Sequence, residues 1–134
     1  MAIIISHVAI INGKGELLIL RRASKDKVLP GYWDLPGGTV RRKESPEEGA
    51  IRETKEECNL EVSNLKPWIC FSNWDNQKQE NFVTLIFLSN KYKGKIKLND
   101  KDHEEYVWIS KNNLKNKKIV DYLKNVEKMM SRSI

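Results

Sequence analysis

Residues 45–59 read SPEEGAIRETKEECN, and how that stretch folds decides the organisation of the rest. Ser45 is a side chain that caps a helix N-terminus. Pro46 suits the first helical position, because the N–H it lacks would have no partner there. Glu48 stands three residues after Ser45, where its carboxylate reaches back to the cap. Asn59 tolerates the left-handed conformation that ends a helix. Together these signals predict a helix over residues 46–58. On its surface Ile51, Thr54 and Cys58 fall on one side, toward a core, while Glu53, Glu56 and Glu57 cluster on another. Gly49 is assigned to the acidic side as well, where the absence of a side chain would let a ligand approach the backbone.

Working outward, residues 3–11 are rich in β-branched side chains and read as a buried strand. Asn12-Gly13-Lys14-Gly15 is a hairpin-type turn, and residues 16–22 make a second strand. Pro30, Gly31, Pro36, Gly37 and Gly38 mark a shaped loop before the helix. Further strands are expected at about residues 68–73, 82–89, 95–98 and 106–109. A closing helix is expected within residues 112–130, where Ile119, Tyr122, Leu123 and Val126 recur at helical spacing. Strands, helix, strands, helix is the order of an α/β (α+β) fold, a mixed β-sheet sandwiched between helices. The 134 residues are the size of a single domain, 1–134.

The composition is 40% hydrophobic and 31% charged, that of an ordinary globular protein. No apolar run approaches the ~20 residues of a membrane span. MAIIISHVAIIN has no basic leader, so a first strand is expected there and no signal peptide. Cys58 and Cys70 match no metal-ligand spacing and are too few for a disulfide framework, which implies a reduced, cytoplasmic setting. The net charge of +6 would suit a polyanionic partner such as a nucleotide. The lysines of residues 111–128 lack interleaved aromatics and read as a solvated helix, so nucleic acid is not expected.

The acidic cluster has two readings. One is a solvated helix face held by i,i+4 pairs such as Arg52 with Glu56. The other is a metal site. Lys55 lies on the opposite side and cannot neutralise the cluster, Glu44 stands near the same helix end, and the Gly-Gly loop offers backbone carbonyls. Carboxylates with a carbonyl and waters suit Mg²⁺, or Mn²⁺, rather than zinc.

Gly38, five residues, Glu44, seven residues, then RETKEECNL closely resembles the box of the Nudix hydrolase family, of the MutT-like kind, G-x5-E-x7-R-E-U-x-E-E-x-G-U with U apolar. The preceding GYWDLPGG and the downstream DHEEYVWIS resemble that family too. Thr54 stands in place of an aliphatic residue and Asn59 in place of glycine. Arg41 to Lys43 stand where relatives often carry an acidic residue and a glycine. The resemblance implies hydrolysis of a nucleoside diphosphate linked to another group, X, by water attack on phosphorus. It implies that Glu56 and Glu57 are metal ligands, with the Gly37 carbonyl beside them. Glu53 would hold a water on the metal or act as the base, Arg52 would orient the carboxylates, and Glu44 would support them.

The same resemblance suggests that Arg22 contacts phosphate and that Gly38 belongs to the substrate loop. Asp102, Glu104 or Glu105 is the alternative base, as in relatives that use an acid of the downstream loop. His103 is a further candidate for touching substrate. Trp74, in the polar stretch SNWDNQKQE, could stack on a nucleobase, whereas Trp33 and Trp108 read as packing residues. One of Asn112, Asn113 and Asn116 could bond a base edge. The implied partner is a small-molecule nucleotide or nucleoside diphosphate derivative, and the assembly a monomer or homodimer. The expected substrate is a nucleoside triphosphate or a modified nucleotide such as an oxidised one. The alternatives are a nucleotide sugar, a dinucleoside polyphosphate, an RNA 5′-end, or, in another class, a catalytically silent nucleotide-binding module.

Overall fold

The computed structural model describes residues 2–133. In chain order it contains β1 (Ala2–Ile10), β2 (Leu17–Arg22), β3 (Trp33–Asp34), β4 (Gly37–Thr39), α1 (Pro46–Cys58), β5 (Glu61–Ser63), β6 (Lys66–Asp75), β7 (Glu80–Ser89), β8 (Lys91–Lys93), β9 (His103–Ile109), a 3-10 helix (Lys111–Asn116) and α2 (Tyr122–Ser133). Two apolar strands at the start dictate the architecture. Side chains alternate across a strand, and both faces of β1 and β2 are apolar. Val8, Ile10, Leu18 and Leu20 enter one core, which Ala50 and Cys58 of α1 close. Ala9, Leu17 and Ile19 enter another, which Leu123, Val126 and Met130 of α2 close. The strands therefore lie between the two helices.

β1 pairs in parallel with β7 and antiparallel with β4, and β6 pairs antiparallel with β7, in the order β4-β1-β7-β6. This is the expected mixed sheet. A three-stranded sheet runs β3-β2-β9, and β5 pairs with β8.

The capped helix forms as its sequence specifies. Ser45 Oγ accepts the Glu48 N–H at 3.0 Å, and Glu48 Oε1 accepts the Ser45 N–H at 2.8 Å. Asn59 ends the helix in the left-handed region with φ 67°. Thr54 is fully buried, its hydroxyl donating to the Ala50 carbonyl at 2.8 Å.

Three expectations need correction. Residues 95–98 form no strand. Lys97 and Asn99 N–H groups donate instead to the Cys58 and Glu57 carbonyls, both at 3.0 Å. Ile96 and Leu98 do alternate inward onto the core, but the open carbonyls at the end of α1 supply the partners that another strand would have supplied. The closing helix is two pieces. Between them Trp33 N–H donates to the Lys118 carbonyl and Val120 N–H to the Trp33 carbonyl, so Ile119 bridges to β3 instead of continuing a helix. Gly49 faces packing and no open ligand site. A Cβ there would lie 3.0 Å from Glu44 Oε1 and 3.3 Å from a Val40 methyl.

Candidate active site

Part of the α2-side face of the four-stranded sheet is left open beside the start of α2. Strand register places Thr39, Ile5, Thr84 and Phe71 in a row across it, with Gly37 and His7 in the next row. These residues floor a cavity of about 770 Å³, walled by Arg22, Asp34 and Glu57 and closed at one side by Tyr122. That volume suits a nucleotide-sized ligand. Phe71 and Tyr122 rings stack at 6.4 Å, and His7 and Tyr122 at 4.8 Å. Tyr122 Oη accepts the Leu35 N–H at 3.0 Å. Desolvation lowers the His7 pKa and raises that of Tyr122 well above its ordinary value, so both are neutral.

Glycine is required where α1 meets this floor. Gly37 has φ 154°, and a Cβ there would run into the Ser6 carbonyl and the His7 ring. A Cβ on Gly38 would collide with the Glu53 carboxylate. The two glycines let the acidic side of the helix lie directly on the strand.

Arg52 is the hub of that side. Its Nε lies 2.7 Å from Glu44 Oε2, and its Nη1 lies 3.0 Å from Glu53 Oε1 and 3.1 Å from Glu56 Oε2. Its Nη2 donates to the Thr39 carbonyl at 3.2 Å. The Arg52 hydrogen bond, with the Arg41 N–H, brings the Glu44 pKa down to about 2. Burial raises that of Glu53 despite Arg52, with Glu56 adding to the rise. Lys55 faces away and pairs with Glu61 at 3.7 Å.

Glu57 is different. Its carboxyl takes the Gly37 N–H at 3.0 Å and forms no ion pair among the described residues. Burial, reinforced by Asp34, Glu53 and Asp102, pushes its pKa up to about 9. As the side chains stand, no three His, Cys, Asp or Glu among the described residues converge on one point, since Arg52 draws Glu53 and Glu56 aside while Glu57 turns to Gly37. The donor set nonetheless fits a hard divalent cation. Carboxylate oxygens dominate it, Glu56 is half-exposed, and burial opposes ionisation of Glu57, which a cation beside it would favour.

The remaining sequence candidates separate in space. Arg22 lines the cavity, its Nη1 3.0 Å from Asp34 Oδ2, its Nη2 2.7 Å from Asp26 Oδ2, and its Nε donating to the Val28 carbonyl at 2.9 Å. Gly38 lines it too. Trp74 does not. It is 53% exposed and projects from the opposite face of β6, while Phe71 and Asn73 face the cavity. Asp102 lies close enough to act electrostatically on Glu57. Glu104 instead binds the Ser24 N–H at 2.8 Å and Arg21 at 3.3 Å, and Glu105 pairs with Arg21 at 3.2 Å. His103 is buried, with Nε2 3.1 Å from Asp34 Oδ1. Asn112 lies at a separate groove between the 3-10 helix and α2.

Sequence reasoning missed His7, Asp34, Phe71 and Tyr122 as cavity residues. The available signal was a polar or aromatic side chain inside an otherwise aliphatic strand, visible for His7 in AIIISHVAI.

A model of the NUDIX domain matches residues 2–128. The nucleoside triphosphatase NudI of Escherichia coli O139:H28 is 30% identical over 115 residues, 78% of this chain and 80% of that one. NudI of Enterobacter sp. strain 638 is 41% identical over 61 residues, 44% of this chain and 43% of that one. The MutT NUDIX hydrolase of Burkholderia pseudomallei superposes with a TM-score of 0.85 at 22% identity, covering 96% of this chain and 98% of its own. The chain belongs to the Nudix family. It is a hydrolase acting on phosphoanhydride bonds, in a family that generally uses a divalent metal.

Proposed function

We propose that the protein is a Mg²⁺-dependent pyrophosphohydrolase of nucleoside triphosphates, modified ones such as oxidised nucleotides included. The observation that carries this is Glu57, a desolvated carboxylate facing other carboxylates on the wall of a nucleotide-sized cavity. Glu53, Glu56, Glu57 and the Gly37 carbonyl would hold the cation, with Mn²⁺ as the alternative to Mg²⁺. When bound, the ion neutralises phosphate oxygens and makes water a better nucleophile at neutral pH.

The chain supplies the rest. Arg52 pairs with Glu53 and Glu56 and offsets their mutual repulsion, and Glu44 holds Arg52. Glu53, on the same face of the helix, takes the proton of the attacking water. The water oxygen bonds to phosphorus, the anhydride P–O bond breaks, and the departing phosphate carries away the electron pair. Arg22 meets phosphate on the cavity wall, and Phe71 and Tyr122 offer aromatic surface to the base. The printed name of the NudI relatives, nucleoside triphosphatase, supports the substrate class. Free Cys58 and Cys70 accord with a cytoplasmic setting.

The test is a panel of common and oxidised nucleoside triphosphates, with Mg²⁺, Mn²⁺ or chelator, analysed by ³¹P NMR in ¹⁸O-labelled water. Metal-dependent release of a monophosphate and pyrophosphate is expected. Nucleotide binding with no turnover of any member would overturn the proposal and leave a binding module.

A further inference from the structure

Behind Arg22 on the cavity wall lies a buried polar pair, Asp34 and His103, that the chemistry above does not use. Asp34 is 5% exposed and His103 is 3% exposed. Asp34 divides its two oxygens, with Oδ1 3.1 Å from His103 Nε2 and Oδ2 3.0 Å from Arg22 Nη1. His103 Nδ1 has no hydrogen-bond partner among the described residues. A bare ring acceptor is tolerated better than a bare N–H, so the proton belongs on Nε2, aimed at Asp34. Arg22 and His103 are register partners across β2 and β9, at an irregularity between Arg21 and Arg22 that turns both side chains toward Asp34.

We propose that His103 is a positioning residue for substrate phosphate, holding Asp34 so that Asp34 fixes the Arg22 guanidinium on the cavity wall. This rests on reading the cavity as the nucleotide site. Arg22 uses three of its five N–H groups on Asp34, Asp26 and the Val28 carbonyl, which leaves two for a ligand. Asp26, on the exposed loop, competes for the same guanidinium at 2.7 Å. Without the His103 donor, Asp34 Oδ1 is buried and unsatisfied. The carboxylate then turns to recover a partner, and Arg22 follows Asp26 out of the cavity. A plain core brace would make no demand on Arg22. This relay does.

The experiment is steady-state kinetics on a double-mutant cycle, with the nucleoside triphosphate that the wild-type enzyme turns over fastest. His103→Leu is expected to raise KM about tenfold with kcat little changed, the size of effect typical for partners that orient a ligand-binding group. His103→Gln, whose amide N–H reaches Asp34, is expected to restore KM. In an Arg22→Ala background His103→Leu should add less than about twofold, since residues acting through one another are not additive. An unchanged KM in His103→Leu, or the same increment with and without Arg22, overturns the proposal. If His103→Leu does not fold by circular dichroism, Asp34→Asn replaces it in the cycle with the same criteria. If the wild type turns over no nucleotide, the functional reading alone falls. The cycle is then read from the Kd for pyrophosphate by calorimetry, where coupling through Arg22 supports the relay and additivity overturns it.

Discussion

Arg52 Nε and Glu44 Oε2 lie 2.7 Å apart, and the same guanidinium also holds Glu53, Glu56 and the Thr39 carbonyl. One planar cation thus ties together carboxylates that would otherwise repel, and joins helix α1 to the end of strand β4. Arg52→Lys is expected to lower kcat by ~10–100-fold, because an ammonium cannot serve four acceptors in one plane. Near-wild-type kcat in this variant would show that the guanidinium geometry does not matter.

Glu57→Gln is expected to cut kcat/KM by ~10²-fold or more while the fold persists, as loss of a ligand to a charge-stabilising ion should. Its stability should move in the opposite direction. Burial pushes the folded wild-type carboxyl's pKa up to about 9, against ~4.3 in the unfolded chain. Between those values the unfolded chain has lost a proton that the folded chain keeps, so metal-free wild type loses stability as pH rises. Melting curves should therefore show Glu57→Gln matching wild type near pH 4 and exceeding it increasingly toward pH 9. Parallel curves across that range would mean Glu57 is well solvated.

Removing divalent metal should abolish turnover. Adding it back at a hundred times its Kd should stabilise the wild type by ~2.7 kcal/mol, with release of the Glu57 proton at pH 7 to 8. Calorimetry in buffers of different ionisation enthalpy measures that proton. Its absence would place the ion elsewhere.

Phe71 faces the cavity and Trp74 does not. Phe71→Ala is expected to raise KM by an amount worth ~1–3 kcal/mol of stacking, and Trp74→Ala to leave KM within about twofold. The reverse pattern, read from initial rates, would move the base site to the other face of β6.

Ser45→Ala removes the acceptor of the Glu48 N–H. Thermal melting should show a loss of ~1 kcal/mol with kcat retained in the folded fraction. An unchanged melt would mean that the cap contributes nothing to the helix.

The carboxylate helix was legible because every signal that specifies it is local. Ser45, Pro46, Glu48 and Asn59 act within a turn of themselves. The acidic cluster around Arg52 was legible for the same reason, since Arg52, Glu53, Glu56 and Glu57 share one turn and a half. The aromatic half of the cavity was not. His7, Phe71 and Tyr122 meet only through strand register and helix packing, and Trp74 was preferred because an aromatic in a polar stretch stands out more than one in an apolar strand. Residues 95–98 carried a strand's alternation, but their hydrogen-bond partners proved to be the last carbonyls of α1, which no short window reveals. Strands β3 and β4 are two and three residues long, too brief for any periodicity to register.

The parallel pairing of β1 with β7 sets Ile5 beside Thr84, and those two side chains lie at the middle of the cavity floor. Nothing local can build that floor, because the ends of a long intervening loop must be brought together first. During synthesis the capped helix therefore has all its signals as soon as it leaves the ribosome, while the cavity floor waits until the later strand emerges. The nascent chain has its acidic cluster early and its cavity floor late.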